Sequence, residues 1–153
     1  MEGYLKDGKG DGLAVHWFEN GQKQLEVNMK DGKQDGLQTR WYENGQKEME
    51  ENFKDGKPDG LFVSWHENGQ KVAEANYKDG KPDGLATDWY ENGNKKEEAN
   101  FKDGMKEGLE VTSHKNGQKR YQANYKDGRK IEGSAKYWNS KGEPVDTYQE
   151  AQQ

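Results

Sequence analysis

The sequence has no cysteine, no long apolar run and no excess of basic residues. Without cysteine it can form neither disulfides nor thiolate metal sites, although this leaves the compartment open. No apolar stretch approaches the roughly 20 residues that a membrane-spanning helix needs, so we expect no transmembrane segment. The net charge of −5 argues against a nucleic acid partner, because binding to a phosphate backbone needs a clustered basic surface.

The 28% hydrophobic and 35% charged residues would be typical of a disordered chain, were they not arranged periodically. A Lys-Asp-Gly triplet recurs every 24 residues, at 6–8, 30–32, 54–56, 78–80, 102–104 and 126–128. An Asn-Gly step and a Trp each recur with the same period. A fixed period of this size predicts a tandem array of one supersecondary unit, in which each unit contacts mainly its neighbours.

Each unit contains two short runs of alternating polarity between Gly-bearing segments, a pattern that favours strands over helices. Leu37, Thr39 and Trp41 alternate along the first run of one unit, and Met49 and Phe53 along the second. We therefore predict an all-β fold, a single-layer, curled antiparallel meander of tandem 24-residue β-hairpin repeats with about twelve strands. The array is predicted to span residues 1–142, and residues 143–153 to form a C-terminal cap or frayed tail.

The Glu-Asn-Gly segment of each unit predicts a three-residue hairpin loop, a type I turn followed by Gly in the left-handed region. The glycines at that position are Gly21, Gly45, Gly69, Gly93 and Gly117. This loop would pair Val15 with Leu25. The connection to the next unit, which carries the Lys-Asp-Gly triplet, would pair Val27 with Thr39. Both pairings would keep all apolar positions on one side of the sheet.

Two aromatic columns follow from this register. The first is predicted to fill the inside of the curled sheet as its structural core, and consists of Trp17, Trp41, Trp65 and Trp89. The second would lie on the polar face, where aromatic groups in a row indicate a contact surface for a partner. It consists of Phe18, Tyr42, His66, Tyr90 and His114.

Catalytic, metal and cofactor sites find little support in the sequence. The Asp-Gly-Lys-x-Asp-Gly segments resemble the first half of a calcium loop, but Lys stands where a ligand is needed, and Asp and Gly are also what tight turns require. None of the three histidines has a nearby nucleophile or a metal-like spacing, and Glu recurs evenly once per unit, as on a solvated face. We predict no enzyme, no catalytic residues, no metal and no cofactor.

The segment at 77–84, Tyr-Lys-Asp-Gly-Lys-Pro-Asp-Gly, resembles the MORN repeat, and the Glu-Asn-Gly hairpin is closer to its bacterial variant. Those variants occur in YwqK-type proteins labelled as antitoxins. The resemblance implies a non-enzymatic scaffold that binds another protein, with a toxin as the implied partner. The alternatives are an envelope or cell-surface module that binds carbohydrate by aromatic stacking, and a structural array that self-associates. We expect a cytoplasmic location, or an exported one if a signal peptide has been removed.

Overall fold

The computed structural model describes residues 5, 6 and 8–152, with backbone alone for residues 5 and 6. The remaining positions of the predicted array and tail, 1–4, 7 and 153, lie outside the described residues, and with them the central residue of the first Lys-Asp-Gly triplet.

Within the described residues the structure has fifteen strands and one short 3-10 helix. They are β1 (Leu5–Lys6), β2 (Lys9–Gly10), β3 (Gly12–Trp17), β4 (Lys23–Lys30), β5 (Lys33–Trp41), β6 (Lys47–Lys54), β7 (Lys57–Trp65), β8 (Lys71–Lys78), β9 (Lys81–Trp89), β10 (Lys95–Lys102), β11 (Met105–Ser113), β12 (Lys119–Lys126), β13 (Arg129–Lys130), β14 (Lys136–Trp138), β15 (Pro144–Val145) and the 3-10 helix Glu150–Gln152.

Thirteen of these strands form one open antiparallel sheet in which neighbours in the chain are neighbours in the sheet. The order runs from β3 to β12 and then through β14 to β15, while β13 pairs with β12 and β1 pairs only with β2. The prediction of an all-β antiparallel meander built from hairpin repeats is therefore confirmed.

Two kinds of turn alternate between the two ends of the strands. At the Asn-Gly end, the Gly21 amide donates to the Phe18 carbonyl (3.0 Å) and the Phe18 amide donates to the Gln22 carbonyl (2.8 Å). Gly21 lies at φ 81°, in the left-handed region that a bulge after a type I turn requires. At the other end, Asp31 (φ 50°) and Gly32 (φ 81°) form a two-residue turn with both residues left-handed.

The predicted strand register is wrong by one residue. Val15 pairs with Glu26, not with Leu25, because Gln24 is an extra residue that forms a β-bulge between the turn and the rest of the hairpin. The register across the Asp-Gly turn is also displaced by one residue. Thr39 pairs with Glu26, whereas the predicted partner was Val27. Both bulges recur in the complete hairpins that follow along the array.

This shift divides the apolar residues between the two faces of the sheet and overturns the prediction of one apolar face. We call the side that carries Leu13, Val15 and Trp17 the leucine–tryptophan face. The apolar residues of the second strand, such as Val27 and its neighbour Leu25, point to the opposite face. A one-residue change of register has this effect because successive side chains of a strand point to opposite sides.

The core is thin and lies along the middle of the strands. Its buried apolar residues are Val15, Val27, Val63, Ala99, Ala123 and Ala151. Thr39 and Thr87 are buried in the same row as Val63. The predicted tryptophan core is not observed, because Trp17 is 39% exposed and no described Trp is buried. In a single-layer sheet, no second layer packs over so large a ring.

The C-terminal segment packs against the last strands of the sheet. Tyr137 on β14 stands between Tyr121 and Tyr148, with ring centroids 5.4 and 6.3 Å away. Ala151 in the 3-10 helix has no exposed surface. The Glu150 amide, at the start of this short helix, donates to the Thr147 hydroxyl at 3.3 Å, and the Glu150 carboxylate accepts from the Thr147 amide at 3.0 Å. The segment from β15 to the 3-10 helix thus covers one end of the array.

Candidate functional site

The second aromatic column lies at the Asn-Gly end of the sheet. Each of its members directly follows the Trp position that ends a strand, and opens the hairpin turn. All five side chains are partly buried: Phe18, Tyr42, His66, Tyr90 and His114. The column therefore runs along the ends of the strands, with one ring per unit. We call this row of strand ends and turns the Asn-Gly edge.

Hydrogen bonds to the following unit hold three of these rings. The Tyr42 hydroxyl donates to the Trp65 carbonyl at 2.8 Å, and the Tyr90 hydroxyl to the Ser113 carbonyl at 2.8 Å. His114 Nε2 lies 3.0 Å from the Trp138 carbonyl oxygen. The residue whose carbonyl accepts the bond occupies the Trp position of the next unit. Each bond therefore joins neighbouring units and fixes the orientation of the ring.

The turns themselves stack along the same edge. The side-chain amide of Asn20 donates to the Glu43 carbonyl at 3.0 Å, and that of Asn44 to the Glu67 carbonyl at 3.1 Å. Within its own turn, the Asn20 side-chain oxygen accepts from the Gln22 amide at 2.9 Å. The Asn of the Asn-Gly step is thus both a turn residue and a link to the next unit.

Open clefts lie between two pairs of successive rings of the column. The first cleft, of about 590 Å³, is bounded by Phe18 and Tyr42, and Arg40, Glu43, Glu48 and Glu67 are among its lining residues. The second cleft, of about 660 Å³, is bounded by His66 and Tyr90, and Val72, Glu91, Lys96 and Lys115 are among its lining residues. Phe18 and His66 occupy the same position two units apart, so one feature of the repeat generates both clefts.

The bulge residues are lining groups that sequence reasoning missed. Gln24 and Glu48 line the first cleft, and Val72 and Lys96 line the second. Each is the extra residue of its β-bulge, so its side chain departs from the alternation of the strand. A pattern of alternating polarity cannot reveal a residue that interrupts that alternation. The one available signal is its fixed place, three residues after the Gly of the Asn-Gly step.

The tryptophan column alternates with lysines on the leucine–tryptophan face. Lys23 Nζ lies 5.6 Å from the centre of the Trp41 ring, Lys71 Nζ 5.5 Å from that of Trp89 and Lys119 Nζ 4.9 Å from that of Trp138. Lysines at this column also pair with a Glu on the same strand, as Lys71 does with Glu74. A sugar stacked on these rings would have to displace lysines that already cover them.

A column of exposed leucines lies on the same face, nearer the Asp-Gly turns. Its members are between 38% and 47% exposed: Leu13, Leu37, Leu61, Leu85 and Leu109. Asn28 and Asn52 alternate with them and donate side-chain hydrogen bonds to the carbonyls of Leu37 (2.8 Å) and Leu61 (3.1 Å). The predicted register put these leucines on the single apolar side of the sheet, and their exposure was not predicted.

One unit carries a charged network on the opposite face. Lys106 Nζ lies 2.9 Å from Glu97 Oε1 and also binds Glu110, whose side chain is 7% exposed. Burial tends to lower the pKa of Lys106, but hydrogen bonds to Glu110 and Glu97 outweigh it and raise the pKa. Burial and hydrogen bonds with Tyr121 and Glu110 raise the pKa of Tyr125, whose ring centre lies 5.6 Å from Lys106 Nζ.

The acidic turn residues hold the array together. The Asp35 carboxylate accepts from the Asp55 amide at 3.2 Å, and the Asp59 carboxylate from the Asp79 amide at 3.1 Å. In the described part of the chain, no three His, Asp or Glu side chains are grouped so that they could hold a metal ion. Among the same residues, no helix is long and apolar enough to cross a membrane.

Comparison with known proteins agrees with this architecture. No curated protein matches the chain. The profile described as "MORN repeat variant" matches five consecutive stretches, which together cover most of the sequence: residues 10–31, 34–55, 58–79, 82–103 and 106–127. Each matched stretch begins shortly after one Asp-Gly turn and ends at the next Asp-Gly turn. The chain therefore belongs to the MORN repeat variant family.

Proposed function

We propose that this protein is a non-enzymatic scaffold that binds an extended segment of another protein along the aromatic column of its Asn-Gly edge. The observation that carries the proposal is the recurrence of an open cleft between column rings, about 590 Å³ beside Phe18 and about 660 Å³ beside His66. Two like clefts about 19 Å apart, in a column whose rings lie about 10 Å apart, suit an extended chain.

The rings are held in place before a partner arrives. The hydroxyls of Tyr42 and Tyr90 are bonded to the next unit, so binding would not have to immobilise these side chains. A preorganised surface loses less conformational entropy on association. Aromatic groups in partly buried positions are also those that dominate the energetics of most interfaces.

The family supports a binding role in general terms. MORN repeats are generally protein- or membrane-binding modules and non-enzymatic scaffolds. On the resemblance to YwqK-type proteins we propose a toxin as one partner, neutralised when the array covers its active surface. A carbohydrate partner is less favoured, because lysines cover three of the tryptophan rings on the leucine–tryptophan face.

The test fills the clefts and leaves the hydrogen-bonded rings intact. Gln24→Trp and Val72→Trp would each place an indole in one cleft, and Leu85→Trp, on the exposed leucine column, is the matched control. A partner captured from the source cells is identified by mass spectrometry, purified and titrated against all three folded variants by calorimetry.

We expect the purified partner to bind the two cleft variants at least tenfold more weakly than the control. Equal affinity for the cleft variants and wild type, with weaker binding by Leu85→Trp, would place the site on the leucine column instead. Circular dichroism of each variant verifies that the sheet is retained.

A further inference from the structure

The two clefts carry charge of opposite sign. We infer that the segment bound along the Asn-Gly edge is bipolar, with basic side chains over the first cleft and acidic side chains over the second. This inference rests on the proposed function, and it adds the chemistry and the orientation of the partner.

The first cleft is acidic. Glu43, Glu48 and Glu67 contribute three carboxylates to its lining, against the single guanidinium of Arg40. Arg40 Nε lies 3.9 Å from a Glu48 carboxylate oxygen, and both of these side chains are more than a third exposed, so the attraction between them is screened. Burial raises the pKa of Tyr42, and the charges of Glu48 and Glu67 raise it further, as expected in a negative environment.

The second cleft has the opposite balance. Lys96 and Lys115 contribute two ammonium groups, against the single carboxylate of Glu91. Both lysines are exposed, and neither forms an ion pair with any residue that the structure describes. They are therefore available to a carboxylate of a partner.

The change of sign occurs at equivalent positions of the repeat. The bulge residue is Gln24, Glu48, Val72, Lys96 and Arg120 in successive units. The first residue of the three-residue loop is Glu in four units and Lys115 in the next. Because the backbone of each unit is the same, the charge differs while the shape of the edge is kept.

The two clefts are far enough apart to act on different parts of the partner. They are separated by two units, or four strand spacings, which is about 19 Å. This is more than twice the screening length of about 8 Å at physiological salt. An extended chain covers that distance in about six residues. A segment with its opposite charges about six residues apart therefore matches the edge.

An extended segment fits this edge better than a second copy of the chain. The equivalent edge of another copy has the same clefts, so it offers no protruding group to fill them. A nucleic acid is disfavoured because its phosphates would meet the carboxylates of the first cleft.

The experiment uses the full chain and a synthetic peptide of about twelve residues, with three lysines at one end, three glutamates at the other and apolar residues between them. A nitroxide is attached to either end of the peptide, and paramagnetic broadening of backbone amides is recorded by NMR at millimolar peptide. The charge-swapped variant carries Glu48→Lys, Glu67→Lys, Lys96→Glu and Lys115→Glu, so the net charge of the protein is unchanged. A matched control makes the same number of charge reversals without changing the net charge. It carries Lys54→Glu, Lys78→Glu, Glu132→Lys and Asp146→Lys, at exposed positions outside both clefts.

We expect the nitroxide on the lysine end to broaden amides around the first cleft, and the one on the glutamate end those around the second. The pattern should reverse in the charge-swapped variant and persist in the control. Raising the salt to about 0.5 M should weaken binding several-fold.

Other results would overturn the inference. Equal broadening of both clefts from either end, or a pattern that the charge swap does not change, would contradict the bipolar orientation and leave the proposed function standing. A peptide that perturbs no cleft amide would overturn both. A dimer detected by sedimentation, with shifts confined to the clefts, would identify a second copy as the occupant.

Discussion

The hydroxyl of Tyr42 donates a 2.8 Å hydrogen bond to the backbone carbonyl of Trp65, which ends the first strand of the next unit. Tyr90 makes the same bond to Ser113. Stability in a repeat array depends on the interfaces between neighbouring units, and these bonds belong to those interfaces. They also fix the rings that bound the clefts, so stability of the array and shape of the site share the same contacts.

The bond from Tyr42 can be removed without removing its ring. We expect Tyr42→Phe to lower the free energy of unfolding by about 1 kcal/mol, the usual contribution of one such hydrogen bond. Tyr77→Phe is the control, because the Tyr77 ring packs edge-on against Phe62 and its hydroxyl has no hydrogen-bond partner among the described residues. Urea denaturation followed by tryptophan fluorescence measures both. Equal losses in the two variants would show that the hydroxyl of Tyr42 contributes nothing specific.

The Asn-Gly turns should not tolerate a β-branched residue. Gly69 lies at φ 81°, so Gly69→Val should destabilise the protein by about 1–2 kcal/mol or more. An added Cβ would also come within 2.8 Å of the Gln46 side-chain oxygen, but that group can move, so backbone strain is the main cost. Gly69→Asn is the control, since Asn adopts positive φ more readily, and it should lose less than half as much. Thermal melts of both variants decide whether strain or space limits the position.

Two neighbouring residues on β7 distinguish the core from the exposed column. Val63 is 5% exposed and Leu61 is 42% exposed, although both point to the leucine–tryptophan face. Val63→Ala should cost about 2 kcal/mol, from the lost transfer free energy of two carbons and the cavity they leave. Leu61→Ala removes more atoms but should cost less than 1 kcal/mol. The reverse order in chemical denaturation would show that the leucine column is the buried one, for instance in an assembly.

The network of Lys106, Glu97 and Glu110 should make stability depend on pH. Burial tends to raise the pKa of Glu110, but the hydrogen bond from Lys106 outweighs it and the pKa is lowered. A carboxyl group whose pKa is lowered in the folded state stabilises the protein at pH values above its ordinary pKa, near 4.3 for Glu. This contribution is lost as the pH falls through the pKa of the folded state. Lys106→Met should destabilise the protein by about 2–3 kcal/mol at pH 7, because Glu110 would stay buried without its partner.

The chain supplies its own control for this network. The positions of Glu97, Lys106 and Glu110 are held one unit earlier by Ala73, Pro82 and Ala86. A triple variant with Ala, Pro and Ala should be as stable as wild type at pH 7, because replacing a buried charge network by apolar groups is often neutral or better. It should also lose part of the acid sensitivity seen in denaturation curves between pH 7 and pH 3. A triple variant as unstable as Lys106→Met would mean that the network stabilises this unit in its own right.

Much of the fold could be predicted from local patterns. The spacing of Gly45 and Asp55 within one unit indicates two turns, and the runs between them are too short for helices. The position of the binding edge could be predicted only in part. Tyr42 stands out as a member of a periodic aromatic column, but its hydrogen bond to Trp65 joins two units and has no local signature. Glu48 lines a cleft only because it occupies a bulge, which the alternation of polarity does not reveal.

The sequence by itself determined the unit, its period and its turns, because Gly and Asp at fixed positions select backbone conformations that few other residues adopt. Only the tertiary structure decided which face each side chain occupies. Gln24 adds one residue between turn and strand, and one residue is enough to turn Val15 and Leu25 to opposite sides of the sheet. The burial of each side chain depends on its face of the sheet and on its place along the strand. Val63 became core and Trp17 remained 39% exposed, because a single layer covers only the middle of its strands.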